Sequence, residues 1–287
     1  MKTIIRSFLK EWLIPPNILR ILQKIMFEKS IRSQYGLSKK DTNEILSRNA
    51  KFHNMYAGKR CFVICNGPSL NNSDLSGLGS EITIVMNLFF RHPILNVWQP
   101  TFYCAAEPPT GGYKNKSTIP IIKEGISKLF PQAFFIPLIT KKLSDQYCIH
   151  PPDKTYYLEM LGEMKPNKTL NLTKTIPSAP DTSVMAVMLA LALGCSPIYL
   201  IGIDYDWLSH RSLHRHFYDE NDQVEIREDL GKTSYSEMIE LSIRCWRTHE
   251  SIRKYAVLQG QQIFNATKDS FLDVYPYARF DDVLMQS

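Results

Sequence analysis

Cys61-Phe62-Val63-Ile64-Cys65-Asn66-Gly67-Pro68-Ser69-Leu70 is an apolar run of five residues that stops at an Asn-Gly-Pro-Ser turn. Such a run, with Val and Ile at its centre, fits a strand buried on both faces, as in a parallel sheet covered by helices. Gly67 allows a close backbone approach, and Pro68 fixes its own φ at the start of the next segment. A turn of this kind at the carboxyl end of a first parallel strand is where open α/β sheets bind ligands. Two other phosphate-binding patterns are excluded, because the chain has no G-x-x-x-x-G-K-[ST] and Gly67 starts no G-x-G-x-x-G series.

Further strand-like runs extend the pattern. Ile82 to Met86 ends at Asn87, Thr101 to Ala106 ends at Glu107-Pro108, and Phe134-Phe135-Ile136 ends at Pro137. Polar residues or prolines thus line up along one edge of the sheet. Thr182 to Leu193 reads as a helix with Asp181, Thr182 or Ser183 as its cap and Gly194 as its stop. Hydroxyls at a helix N-terminus suit a phosphate, and they serve equally well as plain caps. Pro197 to Ile203 is the next strand, and Gln262 to Asn265 the last, with Asn265 expected to meet a base or ribose. Ser234 to Tyr255 reads as a long helix. The fold class is therefore α/β: an open, mostly parallel sheet with helices on both faces.

The segment after the run Pro197 to Ile203, Asp204-Tyr205-Asp206-Trp207 followed by His210, Arg211, His214, His216, Phe217 and Tyr218, concentrates titratable groups. Three readings of it stand side by side. His210 and His214 could bind a metal from one helix face, Asp204-x-Asp206 could hold a divalent ion on nucleotide phosphates, or one His could act as general base.

The 287 residues and 44% hydrophobic content suit one large α/β domain with appendages. Six cysteines without C-x-x-C pairing argue for buried thiols and against a disulfide framework or zinc. A net charge of +6 suits acidic small molecules or an anionic membrane surface, and lacks the dense Lys/Arg clusters of nucleic-acid binders. Residues 1–58 form a basic helical segment and connector. Pro15-Pro16 splits the first part into two short amphipathic helices, with seven basic residues against two acidic up to Arg32, the pattern of an interfacial helix on anionic lipid. No stretch is apolar for long enough to span a membrane. The domain proper is expected over 59–287, with 138–180 and 207–232 as lid or acceptor regions.

The set Cys65-Asn66-Gly67-Pro68-Ser69-Leu70, Met86-Asn87-Leu88-Phe89-Phe90, and Thr182-Ser183-Val184 running through to Ile201-Gly202-Ile203-Asp204 resembles the bacterial sialyltransferases of glycosyltransferase family 42. The Gly-Pro-Ser-Leu opening is shared with archaeal-type pterin diphosphokinases and flagellin-modifying proteins, so it marks a superfamily first. The resemblance implies a Rossmann-like, GT-A-variant domain that takes a CMP-activated acidic sugar and inverts its anomeric centre without a metal or other cofactor. It places the turn Asn66, Gly67, Pro68 and Ser69 at the nucleotide, Asn87 by the nucleotide and donor sugar, and Thr182 and Ser183 at the donor carboxylate or cytidine. Asp204 closes the strand beside them. His216 corresponds to the family's base. The family's two phosphate-binding tyrosines are not matched: Asp206 stands at the first place and Tyr205 one residue early. Tyr205, His210, Arg211, His214 and Tyr218 are the available substitutes.

These readings lead to one expectation and two alternatives. The expectation is a cytoplasmic transferase, peripheral on the inner face of a bacterial plasma membrane, that moves a sialic acid-like sugar or Kdo onto lipopolysaccharide or capsule, with room for a homo-oligomer. The first alternative is a Mg²⁺-dependent diphosphokinase using Asp204 and Asp206. The second is a non-catalytic scaffold for glycan assembly.

Overall fold

The computed structural model describes residues 16–106, 118–209, 216–218 and 234–285. The helix expected before Pro15, the Gly111-Gly112 loop, His210, Arg211 and His214 lie outside them. The described residues form a seven-stranded sheet in the order β5-β4-β3-β2-β1-β6-β7. Its strands are β1 (Cys61–Ile64), β2 (Ile82–Met86), β3 (Phe102–Cys104), β4 (Ala133–Pro137), β5 (Thr155–Leu158), β6 (Ile198–Ile201) and β7 (Ile263–Asn265). All six pairings are parallel. The chain starts at β1, steps outward to β5, then crosses back to lay β6 on the other side of β1. The order reverses at β1, so a crevice opens beyond its carboxyl end, between the segments that leave β1 and β6.

Strand alternation explains why β1 is apolar throughout. Cys61 and Val63 point into one core and Phe62 and Ile64 into another, each side chain inaccessible to solvent. The first core is covered by α5 (Thr182–Ala192), whose eleven residues are all buried. The helix is buried over its whole surface, because the sheet lies on one side and α6 (Tyr235–Leu258) on the other. The second core is closed by α3 (Thr118–Ser127), through Ile119, Ile122 and Ile126, and by α7 (Phe280–Leu284), through Phe280 and Val283.

Segment 138–180, expected as a lid or acceptor region, also supplies the edge strand β5 and the short helix α4 (Lys141–Tyr147). Thr155-Tyr156-Tyr157-Leu158 carries little aliphatic signal and sits among prolines, so the strand is hidden in the sequence. Only the stretch after β5 reaches the crevice. Described residues before Lys59 pack on the domain. α1 (Pro16–Tyr35) ends with Tyr35 against Ile136, Leu138 and Tyr157. α2 (Lys39–Ser47) starts in a capping box between Ser38 and Asp41. The Asn49 amide then donates to the carbonyls of Tyr157 and Leu172, both at 2.8 Å, and Phe52 enters the first core. Among the described residues no helix is long and apolar enough to cross a membrane.

Candidate active site

The turn after β1 is shaped by two glycines. The ladder continues past the strands, with Cys65 N–H donating to Ile201 O and Gly67 N–H to Gly202 O, both at 2.8 Å. This brings the two exits so close that a Cβ on Gly67 would lie 1.6 Å from Asp204 Oδ2. Gly202 takes φ +67°, and a Cβ there would lie 2.9 Å from the Cys65 carbonyl oxygen. The close approach expected at Gly67 is thus to a carboxylate of the protein itself.

Asp204 is held by Ser69, whose backbone N–H donates to Oδ1 at 3.2 Å and whose hydroxyl donates to Oδ2 at 2.9 Å. Burial outweighs these two bonds and raises the Asp204 carboxyl above the ordinary aspartate range. Ser69 and Pro68 therefore act behind the pocket wall: Pro68 opens the short 3₁₀ turn Pro68–Asn72, and Ser69 fixes the carboxylate. Among the described residues no group of three or more His, Cys, Asp or Glu side chains is arranged to hold a metal ion.

Around this turn lies a cavity of about 110 Å³ lined by Asn66, Gly67, Asn87, Asp181, Thr182, Ser183, Asp204, Tyr205 and His216, among others. Asn66 is buried at 6% exposure, and its Nδ2 donates to the Met86 carbonyl at 3.1 Å. Its Oδ1 has no partner among the described residues. Such a buried orphan is expected where a ligand completes the hydrogen bonding. Asn87 holds a left-handed backbone, φ +48°, and its Oδ1 accepts from the Thr182 hydroxyl at 3.1 Å. The Thr182 hydroxyl oxygen in turn lies 3.3 Å from the N–H of Ala106. These bonds tie the ends of β2, β3 and α5 into one wall.

His216 reaches the cavity on a separate strap. Phe217 N–H donates to the Asn66 carbonyl at 2.9 Å, and the Phe217 carbonyl accepts from Asn71 Nδ2 at 3.0 Å. The Phe217 ring meets Phe89 and His92 edge-on. His216 stacks on Tyr218 at 4.8 Å with the rings 6° from parallel, and Arg91 lies over the Tyr218 ring. Tyr218, expected near the chemistry, thus backs His216 from outside the cavity.

From the cavity floor a polar network that the sequence reading missed runs into the core, to His249 and Tyr275. Asp181 caps α5, with Oδ1 accepting from Val184 N–H and from the Ser183 hydroxyl, both at 2.8 Å. Its Oδ2 accepts from the Tyr205 hydroxyl. Tyr205 also meets His249 Nε2 at 2.9 Å, and His249 Nδ1 meets the Tyr275 hydroxyl at 2.9 Å. With the Tyr205 proton committed to Asp181, the network assigns a neutral His249 that donates from Nε2 and accepts at Nδ1. His249 is wholly buried, which drives its imidazole down to about 4. Burial likewise lifts the phenols of Tyr205 and Tyr275 far above 10.

Two expectations are corrected here. Tyr205, expected to donate to phosphate, is 4% exposed, lies between Trp207 and Trp246, and spends its hydroxyl on Asp181, Ser183 and His249. Asn265, expected at a base or ribose, is buried away from the cavity. Its amide donates to Leu272 O at 3.0 Å and its Oδ1 accepts from Thr267 N–H at 3.0 Å, because the chain after β7 doubles back over the strand end. His249 and Tyr275 leave little sequence trace, as a lone His in a helix and a Tyr in the tail give no sign of meeting.

The cavity opens into a groove of about 1400 Å³ through the shared residues Asn87, Asp181 and Thr182. Gly162, Met164, Ala179 and Pro180 form one wall of this groove, and Leu241, Ile243, Arg244 and Arg247 of α6 form the other. Cavity and groove together form one continuous concave surface.

No protein-family model matches the chain, and no curated protein matches it in sequence. Among solved structures, the sialyltransferase CstII from Campylobacter jejuni with the substrate analogue CMP-3FNeuAc aligns at 14% identity and TM-score 0.49, covering 76% of this chain and 86% of that one. The monofunctional α-2,3-sialyltransferase Cst-I from Campylobacter jejuni aligns at 15% identity and TM-score 0.48, covering 77% of this chain and 80% of that one. CstII with a trisaccharide acceptor and CMP aligns at 14% identity and TM-score 0.46, covering 77% and 86%.

Proposed function

We propose that the chain is an inverting glycosyltransferase that takes an acidic sugar from a CMP donor and passes it to a glycan hydroxyl, without a metal ion. The observation that carries this reading is the convergence of His216, the orphaned Asn66 Oδ1, Asn87 and the N-terminus of α5 on one cavity at the strand-order reversal. The sequence motifs that resemble family 42 sialyltransferases supply these residues in the order the family uses them.

Each residue has a task in this reaction. The amides of Thr182 and Ser183 have no acceptor among the described residues, and the positive end of the α5 dipole suits the donor's phosphate or carboxylate. Asn66 and Asn87 fix the nucleotide by their amide groups. His216 takes the proton from the acceptor hydroxyl as its oxygen bonds to the anomeric carbon. At the same time the anomeric carbon–oxygen bond to phosphate breaks, and its electron pair leaves with CMP. The sugar passes through an oxocarbenium-like state, so the donors facing the phosphate must be in place before the bond lengthens. Asp204, engaged by both donors of Ser69, serves the wall, which weakens the diphosphokinase reading built on Asp204 and Asp206. The acceptor would be a bacterial surface glycan such as lipopolysaccharide or capsule.

Calorimetric titration tests this directly, with CMP and then ATP, each in EDTA and in Mg²⁺. The expected result is CMP binding that survives EDTA and no response to ATP, followed by transfer from one member of a CMP-sugar panel. Mg²⁺-dependent ATP binding without CMP binding would overturn the proposal.

A further inference from the structure

Among its described side chains, helix α1 is anchored near its C-terminus. Near its C-terminus Tyr35 is buried against Ile136, Leu138 and Tyr157, and Arg32 grips Glu159 with Nε at 2.9 Å from Oε1 and Nη2 at 3.4 Å from Oε2. These partners sit at the carboxyl ends of β4 and β5. Because every strand is parallel, that is the edge of the sheet on which the cavity opens. Toward the N-terminus of α1, Ile18, Leu22, Ile25 and Met26 are exposed by 49, 42, 55 and 68%. At 3.6 residues per turn the four fall within about 100° of one another, and Lys29 prolongs their stripe.

A stripe of this kind calls for a partner, and charge decides between two. Residues 1–32 carry seven basic side chains against two acidic. A second copy of the chain would bring two such basic segments together. An anionic lipid surface would receive the apolar side chains in its acyl boundary and neutralise the basic ones at the headgroups.

We propose that α1 docks the protein on an anionic lipid surface, and that its attachment to β4 and β5 turns the carboxyl edge of the sheet toward acceptors held in that surface. The docking stands on α1 alone. The identification of a lipid-linked acceptor rests on the transferase reading.

The test uses the full chain and the double variant Leu22→Glu/Ile25→Glu, whose changes fall on exposed positions. The native chain sediments with vesicles of phosphatidylglycerol and phosphatidylcholine and not with phosphatidylcholine alone. The variant loses at least about tenfold in vesicle affinity. CMP titrates both alike, so a failure of CMP binding would strike the transferase reading and leave the vesicle result standing. Transfer to a lipid-linked acceptor in anionic vesicles drops in the variant, while transfer to the same glycan free in solution does not. Equal sedimentation of the two proteins, no sedimentation of either, or a lipid-free dimer that the variant dissolves would overturn docking. Equal loss of transfer on both acceptors would overturn the role of the sheet edge.

Discussion

The floor and the rim of the cavity are built from similar residues and behave differently. On the floor, Asp181, Ser183, Tyr205, His249 and Tyr275 satisfy one another at 2.8–3.0 Å in bonds such as Ser183 to Asp181 and His249 to Tyr275. On the rim, Asn66 keeps a buried oxygen unpartnered and His216 stands half-buried against a stacked tyrosine. A closed network spends its hydrogen-bonding capacity on geometry, whereas Asn66 keeps one buried acceptor for a ligand. Residue type therefore does not separate support from chemistry here; what each polar atom already touches does.

The sharpest way to break the contrast is His216→Ala. As general base, its loss should lower transfer by about 10²–10⁴-fold while CMP affinity and melting temperature stay near native values. Kinetics beside a thermal melt decide this, and a variant with native turnover would place the base elsewhere.

The floor answers to acid instead. The folded protein holds His249 near 4, against about 6.5 for an unfolded imidazole, so the unfolded chain binds the extra proton as pH falls. Stability from this group is complete above about 6.5 and declines toward 4, by on the order of 3 kcal/mol. His150, held near 4 by burial beside Tyr103 and Phe134, adds a decline in the same window. Melting temperature against pH should thus fall more steeply for the native chain than for His249→Gln, which keeps only the His150 share. Parallel curves would show that His249 is not the group that titrates.

A smaller effect separates hydroxyl from ring. Tyr205→Phe keeps the packing on Trp207 and Trp246 but leaves Asp181 and His249 short of a partner, a loss of about 1–3 kcal/mol by denaturant unfolding. Stability should move more than ligand affinity. The reverse pattern would return Tyr205 to the phosphate.

The least change is expected from Asn66→Ala, which removes one ligand hydrogen bond and should weaken CMP binding by about 2–10-fold, or about 0.5–1.5 kcal/mol. Unchanged CMP affinity with a lowered melting temperature would move Asn66 from rim to floor.

Most of the sheet was legible because strands buried on both faces write themselves as unbroken apolar runs, as at Cys61–Ile64 and Ile198–Ile201. Edge strand β5 escaped, since Thr155-Tyr156-Tyr157-Leu158 lacks such a run and prolines precede it. In the site, Asn66, Gly67, Asn87, Thr182, Ser183, Asp204 and His216 converge as their strand-end and cap positions suggested. Asn265 was misread because the chain after β7 doubles back over the strand end, and Tyr205 because a residue's place in the chain does not tell which way a left-handed turn aims it. Tyr205 has φ +56°, and that one backbone choice sends its hydroxyl to the floor. Asp181 was seen as one of three candidate caps, but its second oxygen found its role only once α6 brought His249 beside it.

The strap that carries His216 is joined to the end of β1 by the N–H of Phe217 on the carbonyl of Asn66. Both groups belong to the main chain, so the position of residue 216 is set independently of the side chain it bears. That gives the site evolutionary room: a lineage could exchange the side chain at 216, retune it or delete it without rebuilding the cavity wall. It also makes residue 216 the natural place to graft a different reactive group onto an unchanged cavity.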